Sequence, residues 1–253
     1  MRGYKVTENG VEKIKLANKP LVGANVYYAS KLSSQKQYYN SLAENYVIDY
    51  GVLTWANPNL YLQSSGTQYI DSNEIANTNT GVEVKCTIPP NNSTDNIVLG
   101  SRKDSGNSRY WVDLDWSNVG KVLFGYNNYS SDTFSSLGLQ TGNKYVFSFN
   151  FKNDRKCIAN SVICKELGNE ALSEQTRSIY IFKPNYPNLS APYYGKIYSV
   201  KISQGNNIVK HLVPVPNGLL IGGFNCPSNG MFDIVNQQFY ANAGTGSFIF
   251  GKD

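Results

Sequence analysis

Histidine is nearly missing from this chain. Its 253 residues include a single one, His211, beside two methionines, three tryptophans and four cysteines. One histidine leaves a Ser-His-Asp or Cys-His arrangement a single candidate base, and leaves a zinc site little to build on. None of Cys86, Cys157, Cys164 and Cys226 forms a CxxC pair, so no metal ligand set and no cofactor is expected. Charged residues make up only 16%, well under the usual quarter or so, which argues against long disorder, coiled coil or a charge-rich surface. No stretch approaches the ~18 apolar residues of a membrane span. The opening MRGYKVTENGVEKIKLANKP lacks an apolar h-region, so no secretory leader is expected and the chain should be made and folded in a cytosol. No repeat of fixed period is visible, which speaks against a propeller or β-helix.

What is present points to strands. Hydrophobic residues reach 41%, enough for a real core, and aromatics reach 13% with 19 tyrosines. Tyrosine with asparagine, glycine and few charges is the composition of short strands joined by many turns. The 23 basic and 18 acidic residues give a net charge of +5 and a pI near 8.8. The basic residues are scattered, and the densest cluster, Lys152 to Lys156, is broken by Asp154. A nucleic-acid partner would call for a basic stripe, so none is expected.

The length suits one large β domain with an appendage, divided at residues 1–52 and 53–253. In the first part, VTENGVEKIKLA reads as a hairpin around Asn9-Gly10. Tyr38, Tyr39, Leu42 and Tyr46 have the spacing of a helix face, with Ser34 and Gln37 placed as a capping box. A hairpin and one helix bury too little to stand alone. The tyrosine-rich face is therefore an expected assembly surface, or a cover over a sheet edge of the same chain. From residue 53 onward more than ten short strands alternate apolar and polar residues, with Val82, Val84 and Cys86 on one face. Turn clusters such as NNSTDN, SGNS and QGNN separate them. The fold class expected is all-β, a sandwich of two antiparallel sheets.

The richest strand is RYWVDLDW. Alternation puts Tyr110, Val112, Leu114 and Trp116 toward the core, and Arg109, Trp111, Asp113 and Asp115 on the opposite face. An aromatic plate flanked by charged hydrogen-bonding groups suits a sugar ring. The competing reading is a solvated face with a cross-strand ion pair and a tryptophan at a subunit contact. His211, alone on a strand, reads as structural. Asn160-Ser161 would close a two-residue hairpin placing Cys157 opposite Cys164, as reduced thiols or as a bridge. Asp71 and Asp233 read as Asx turn caps, and Gly244 and Gly246 as turn glycines rather than a phosphate cradle, since no helix follows.

Two segments carry a family likeness. SSGTQYIDSN (64–73) and GMFDIVNQQFYANAGTGSF (230–248) resemble the opening strand and closing signature of laminin-G-like, concanavalin A-like jelly rolls of phage and prophage structural proteins. RKCIANSVICKEL and YYGKIYSVKISQGNNIVKHLVPVPN are similar to that family's internal strand pairs. The likeness covers roughly residues 55–253, leaving out the first 52 residues and the stretch from Asn185 to Pro192. It implies a two-sheet jelly roll on a non-enzymatic virion protein, a fibre, tail or capsid-surface appendage, made in the host cytoplasm. Its partners would be other virion proteins, further copies of itself in a trimer, and a host-surface glycan. The alternative it implies is a lectin or adhesin module. A glycoside hydrolase is a distant third, because such enzymes on this fold carry Glu-x-Asp-x-x-Glu and WVDLDW has neither glutamate. Laminin-G-like relatives sometimes hold Ca²⁺ near carboxylates such as Asp113 and Asp115, but two in-line carboxylates fall short of the oxygens it needs, and no metal is expected.

Overall fold

The computed structural model describes residues 2–7, 10–15, 26–29, 36–38, 46–49, 52–55, 59–90, 96–103, 108–115, 120–187, 189–221 and 224–253. Six strands precede residue 56: β1 (Arg2–Thr7), β2 (Gly10–Lys15), β3 (Val26–Ala29), β4 (Lys36–Tyr38), β5 (Tyr46–Asp49) and β6 (Val52–Trp55). Then come β7 (Leu60–Gln63), β8 (Ile70–Ile75), β9 (Thr80–Thr87), β10 (Ile97–Arg102), β11 (Arg109–Asp115), β12 (Lys121–Thr133) and β13 (Lys144–Phe149). The chain continues through β14 (Lys156–Ala159), β15 (Val162–Glu166), β16 (Ser178–Ile181), β17 (Pro184–Asn185), β18 (Lys196–Gln204) and β19 (Asn207–Val215). It closes with β20 (Leu220–Ile221), β21 (Phe224–Asn225), β22 (Gly230–Asp233), β23 (Gln238–Tyr240) and β24 (Ile249–Lys252).

Two sheets make the sandwich. The larger runs β15-β14-β13-β9-β18-β19-β22-β23, with β7 beside β18 and β24 beside β7. The smaller runs β12-β11-β10-β16-β8, with β17 against β10. Nearly every pairing is antiparallel, as expected for strands joined by short turns. Alternation selects the inner faces: Val82, Val84 and Cys86 of β9 meet Tyr110, Val112 and Leu114 of β11 in one continuous core. Phe124, Phe147 and Phe149 fill the space between them, and each such buried side chain contributes about 1.5–3 kcal/mol.

Local turn chemistry behaves as the residue types require. Asn160 and Ser161 both take positive φ, 46° and 69°, the backbone of a type I′ hairpin turn. One consequence differs from expectation. The β14–β15 pairing slips by one residue, so Cys157 faces Lys165 and Cys164 falls in the irregularity. Both thiols are free, with Cys157 buried.

The amino-terminal hairpin is present as expected, β1 pairing β2 with Thr7 opposite Gly10. Where the expected helix is described, at Lys36–Tyr38 and at Tyr46, the backbone is strand. Tyr38 ends a strand whose register sets it opposite Tyr27, and Tyr46 opens another, opposite Trp55. Tyr39 and Leu42 lie outside the described residues. Tyrosine also favours extended backbone, so the i, i+4 spacing alone does not select a helix. Among the described residues the strands β1–β4 and β5–β6 form sheets of their own.

Candidate functional site

The face of β11 that carries Arg109, Trp111 and Asp113 does point away from the core, as alternation requires, yet it is not open. Trp111 is 1% exposed and Asp113 3%. Trp111 packs with Ile97, Ala191 and Leu189. The segment after β17 runs along β10 from Arg102, whose guanidinium lies 4.8 Å from the Tyr186 ring centre, to Ile97, whose N–H donates to Ala191 at 3.3 Å. Glycine neighbours make the indole's bed. A Cβ on Gly125 would fall 2.8 Å from Trp111 Cδ1, and one on Gly100 2.2 Å from Trp111 Cβ. Asp113 Oδ1 accepts the N–H of Asn96 at 3.2 Å. Arg109 is partly exposed, its guanidinium 5.7 Å from the Trp111 ring centre. Asp115 ends the strand, with its side chain outside the described part of the molecule.

The strand therefore groups Arg109, Trp111 and Asp113 as expected, but the sugar platform read there is corrected to a roofed one. Alternation says which way a side chain points, and not whether another segment covers it. The cover is the stretch from Asn185 to Pro192 that stands outside the family likeness.

The open aromatic surface lies two strands away, at the edge of the smaller sheet. In β8 and β16, Ile70, Ile179 and Ile181 go to the core, which turns Asp71 and Tyr180 outward as register partners. Tyr69, just before β8, stacks on Tyr180 with ring centres 4.5 Å apart and planes 26° from parallel. Lys183 Nζ stands 4.0 Å from the Tyr69 centre and 5.8 Å from that of Tyr180. The latter distance is too short for a cation on the far side of Tyr69, so the ammonium lies alongside the stack and does not cap it. All four side chains are partly exposed.

The patch is held from below. Tyr69 N–H donates to Asn242 Oδ1 at 3.1 Å, and Ala243 N–H returns to the Tyr69 carbonyl at 2.9 Å. Gly244 lies so close to Thr67 that a Cβ there would sit 2.0 Å from its carbonyl oxygen. The expected turn roles of the closing segment are thus observed, with Gly246 at φ +71°. Asp71 Oδ1 accepts the N–H of Asn73 at 2.8 Å, the expected Asx turn. Electrostatics follow from partial burial. Burial pulls Lys183 below the ordinary lysine value. Burial pushes the Tyr180 phenol up, Tyr69 and Asp71 adding to it and Arg177 opposing.

A second aromatic–lysine cluster shows what a closed version looks like. Lys196 Nζ lies 4.2 Å from the Tyr61 ring centre and Lys144 Nζ 3.8 Å from that of Tyr198. Asp253 sits among them, accepting from Lys196 and from the Tyr198 hydroxyl, and standing 3.9 Å from Lys144. Its hydrogen bond to Lys196 raises that ammonium's pKa despite burial. Among the described residues no group of histidine, cysteine, aspartate and glutamate is placed to hold a metal ion.

Sequence reasoning missed the open patch for a physical reason. QYID and SIYIFK each show a tyrosine alternating with buried isoleucine. Only the pairing of β8 with β16, about a hundred residues apart, brings the rings together.

No family model and no curated protein sequence matches the chain. Among solved structures, one described as a "putative carbohydrate binding protein" from Bacteroides ovatus is similar at 10% identity with a TM-score of 0.50. The match covers 77% of this chain and spans 60% of the length of that protein. At that identity the likeness is one of fold, and the chain is an all-β sandwich of two antiparallel sheets sharing that architecture.

Proposed function

We propose that the sandwich is a non-enzymatic glycan-binding module whose contact surface is the outward patch of Tyr69, Tyr180, Lys183 and Asp71. The observation that carries this is the stacked tyrosine pair, half-exposed on the sheet whose Trp111 is roofed. Tyrosine offers an apolar plate for the C–H face of a sugar ring and a hydroxyl at its rim. Asp71 and Lys183 add an acceptor and donors for sugar hydroxyls. The fold shared with a protein described as carbohydrate-binding supports the same reading. Hydrolysis is disfavoured by the placement of Asp113, sealed at 3% exposure with its carboxylate on Asn96, since a glycosidase needs two carboxyl groups at the scissile bond.

The test is affinity electrophoresis of the full chain through gels containing a panel of polysaccharides. At least one should retard the protein, and Tyr180→Ala should remove the retardation with the fold intact by circular dichroism. A retarded wild type with an equally retarded Tyr180→Ala variant would place binding elsewhere.

A second reading, a virion appendage that displays this module toward a host surface and assembles through its first 52 residues, has its own support. That support is the family likeness at 64–73 and 230–248 and the separate sheets formed by β1–β6. Mass spectrometry of purified particles tests it, and absence of the chain from them would end it.

A further inference from the structure

We infer that the patch selects negatively charged sugars, uronate or sulfated residues, with the acid group seated on Lys183 and the ring against the tyrosine pair. This rests on the glycan-binding reading of the same patch.

The first ground is the state of Lys183. Its ammonium is half-buried against two rings, and among the described residues no carboxylate pairs with it. Three other lysines are paired: Lys103 meets Glu174 at 3.0 Å, Lys201 meets Glu83 at 2.6 Å, and Lys210 meets Glu74 at 3.3 Å. The closed cluster around Tyr61 and Tyr198 has Asp253 as its anion. The Tyr69–Tyr180 cluster has rings and a cation of the same kinds, and among the described residues no carboxylate stands where Asp253 stands in the other. A cation drawn partly out of water without a partner is costly, and a ligand anion that supplies the missing charge-assisted hydrogen bond recovers that cost.

The second ground is the surroundings. Asp71 faces Tyr180, but its Oδ1 is taken by the N–H of Asn73, and burial alone accounts for the lowered pKa of Lys183. Arg177 acts on Tyr180 from the start of the same strand. The chain's net charge of +5 also favours approach by anionic polymers.

The experiment uses the full chain with three probes: sodium polygalacturonate, dextran sulfate and neutral dextran. The expected result is binding to one or both acidic polymers with little to dextran, the two acidic arms separating carboxylate from sulfate recognition. Lys183→Gln should weaken it roughly ten- to a hundredfold, the loss of one charge-assisted contact. Lys103→Gln, at a surface lysine outside the patch, should leave it unchanged. Equal loss in both variants, or dextran bound as tightly as the acids, overturns the selectivity. If Lys183→Gln binds like wild type while Tyr180→Ala does not, the selectivity is wrong and the glycan reading stands. If none of the three probes nor any polysaccharide of the wider panel binds, both fall together.

Discussion

Asp233 is fully buried and both of its oxygens are in use. Oδ1 accepts the N–H groups of His211 and Val235, each at 3.0 Å, and Oδ2 accepts from Asn236 at 2.7 Å and stands 3.9 Å from Lys210 Nζ. Lys210, itself nearly buried, also donates to the Tyr240 hydroxyl at 2.7 Å and meets Glu74 of the other sheet. Burial works against its charge, and Tyr240 and Glu74 outweigh it, so the ammonium titrates above the ordinary lysine range. Asp233→Ala leaves two backbone donors and the Asn236 amide without their acceptor and takes one of two carboxylates from Lys210, and should cost about 2–4 kcal/mol in urea unfolding. The Asx turn at Asp233 was legible, because it depends on neighbours two residues away. The salt-bridged network behind it was not, because Glu74 and Lys210 meet only once the sheets pack. His211, beside it, is pushed down to about 4 by burial first and Lys201 second. Between that value and the ordinary 6.5 or so the unfolded chain binds a proton that the folded one refuses, so stability is full above that window and falls as pH drops through it. Melting temperature measured from pH 7 to pH 4 should fall, and His211→Gln should flatten that slope.

The elements divide into those with local causes and those without. The β14–β15 hairpin was readable because two positive-φ residues at its turn decide it. The strand faces of β9 and β11 were readable because alternation is local. The roof over β11 was not, since residues 186–192 carry no pattern tying them to a strand some eighty positions earlier. That roof separates two functional readings. Trp111→Ala should cost about 3–5 kcal/mol, the usual penalty for emptying a large aromatic site, while leaving glycan retardation at Tyr69–Tyr180 unchanged. Loss of binding in a Trp111→Ala protein that still folds would return the site to β11. Gly100→Ala should have a related structural effect, since its methyl would meet Trp111 Cβ and the Tyr110 carbonyl. Forcing β10 from β11 should cost roughly the 1–3 kcal/mol of an overpacked site, seen as a lower urea midpoint.

At the scale of the molecule, the two-sheet architecture was legible from composition and strand spacing, because a chain with many short alternating strands has few other ways to bury them. The secondary structure of the first 52 residues was legible only in part, the hairpin around Asn9-Gly10 and not the strand at Tyr38. Under the assembly proposal, light scattering should give an oligomeric full chain and a monomeric one when the chain starts at Asn57. A monomer in both cases would leave the first strands as a local appendage.

The patch also sets a clock. Tyr69 is made long before the groups that seat it, Asn242 and Ala243. At roughly 5–20 residues per second, translation separates the two by about 9–35 s. Throughout that interval Tyr69 stands in the growing chain without its support. Under the glycan proposal the patch is therefore completed only after Asn242 and Ala243 are made, and a polypeptide cut between Lys183 and Asn242 would keep both tyrosines while losing the contacts that seat Tyr69.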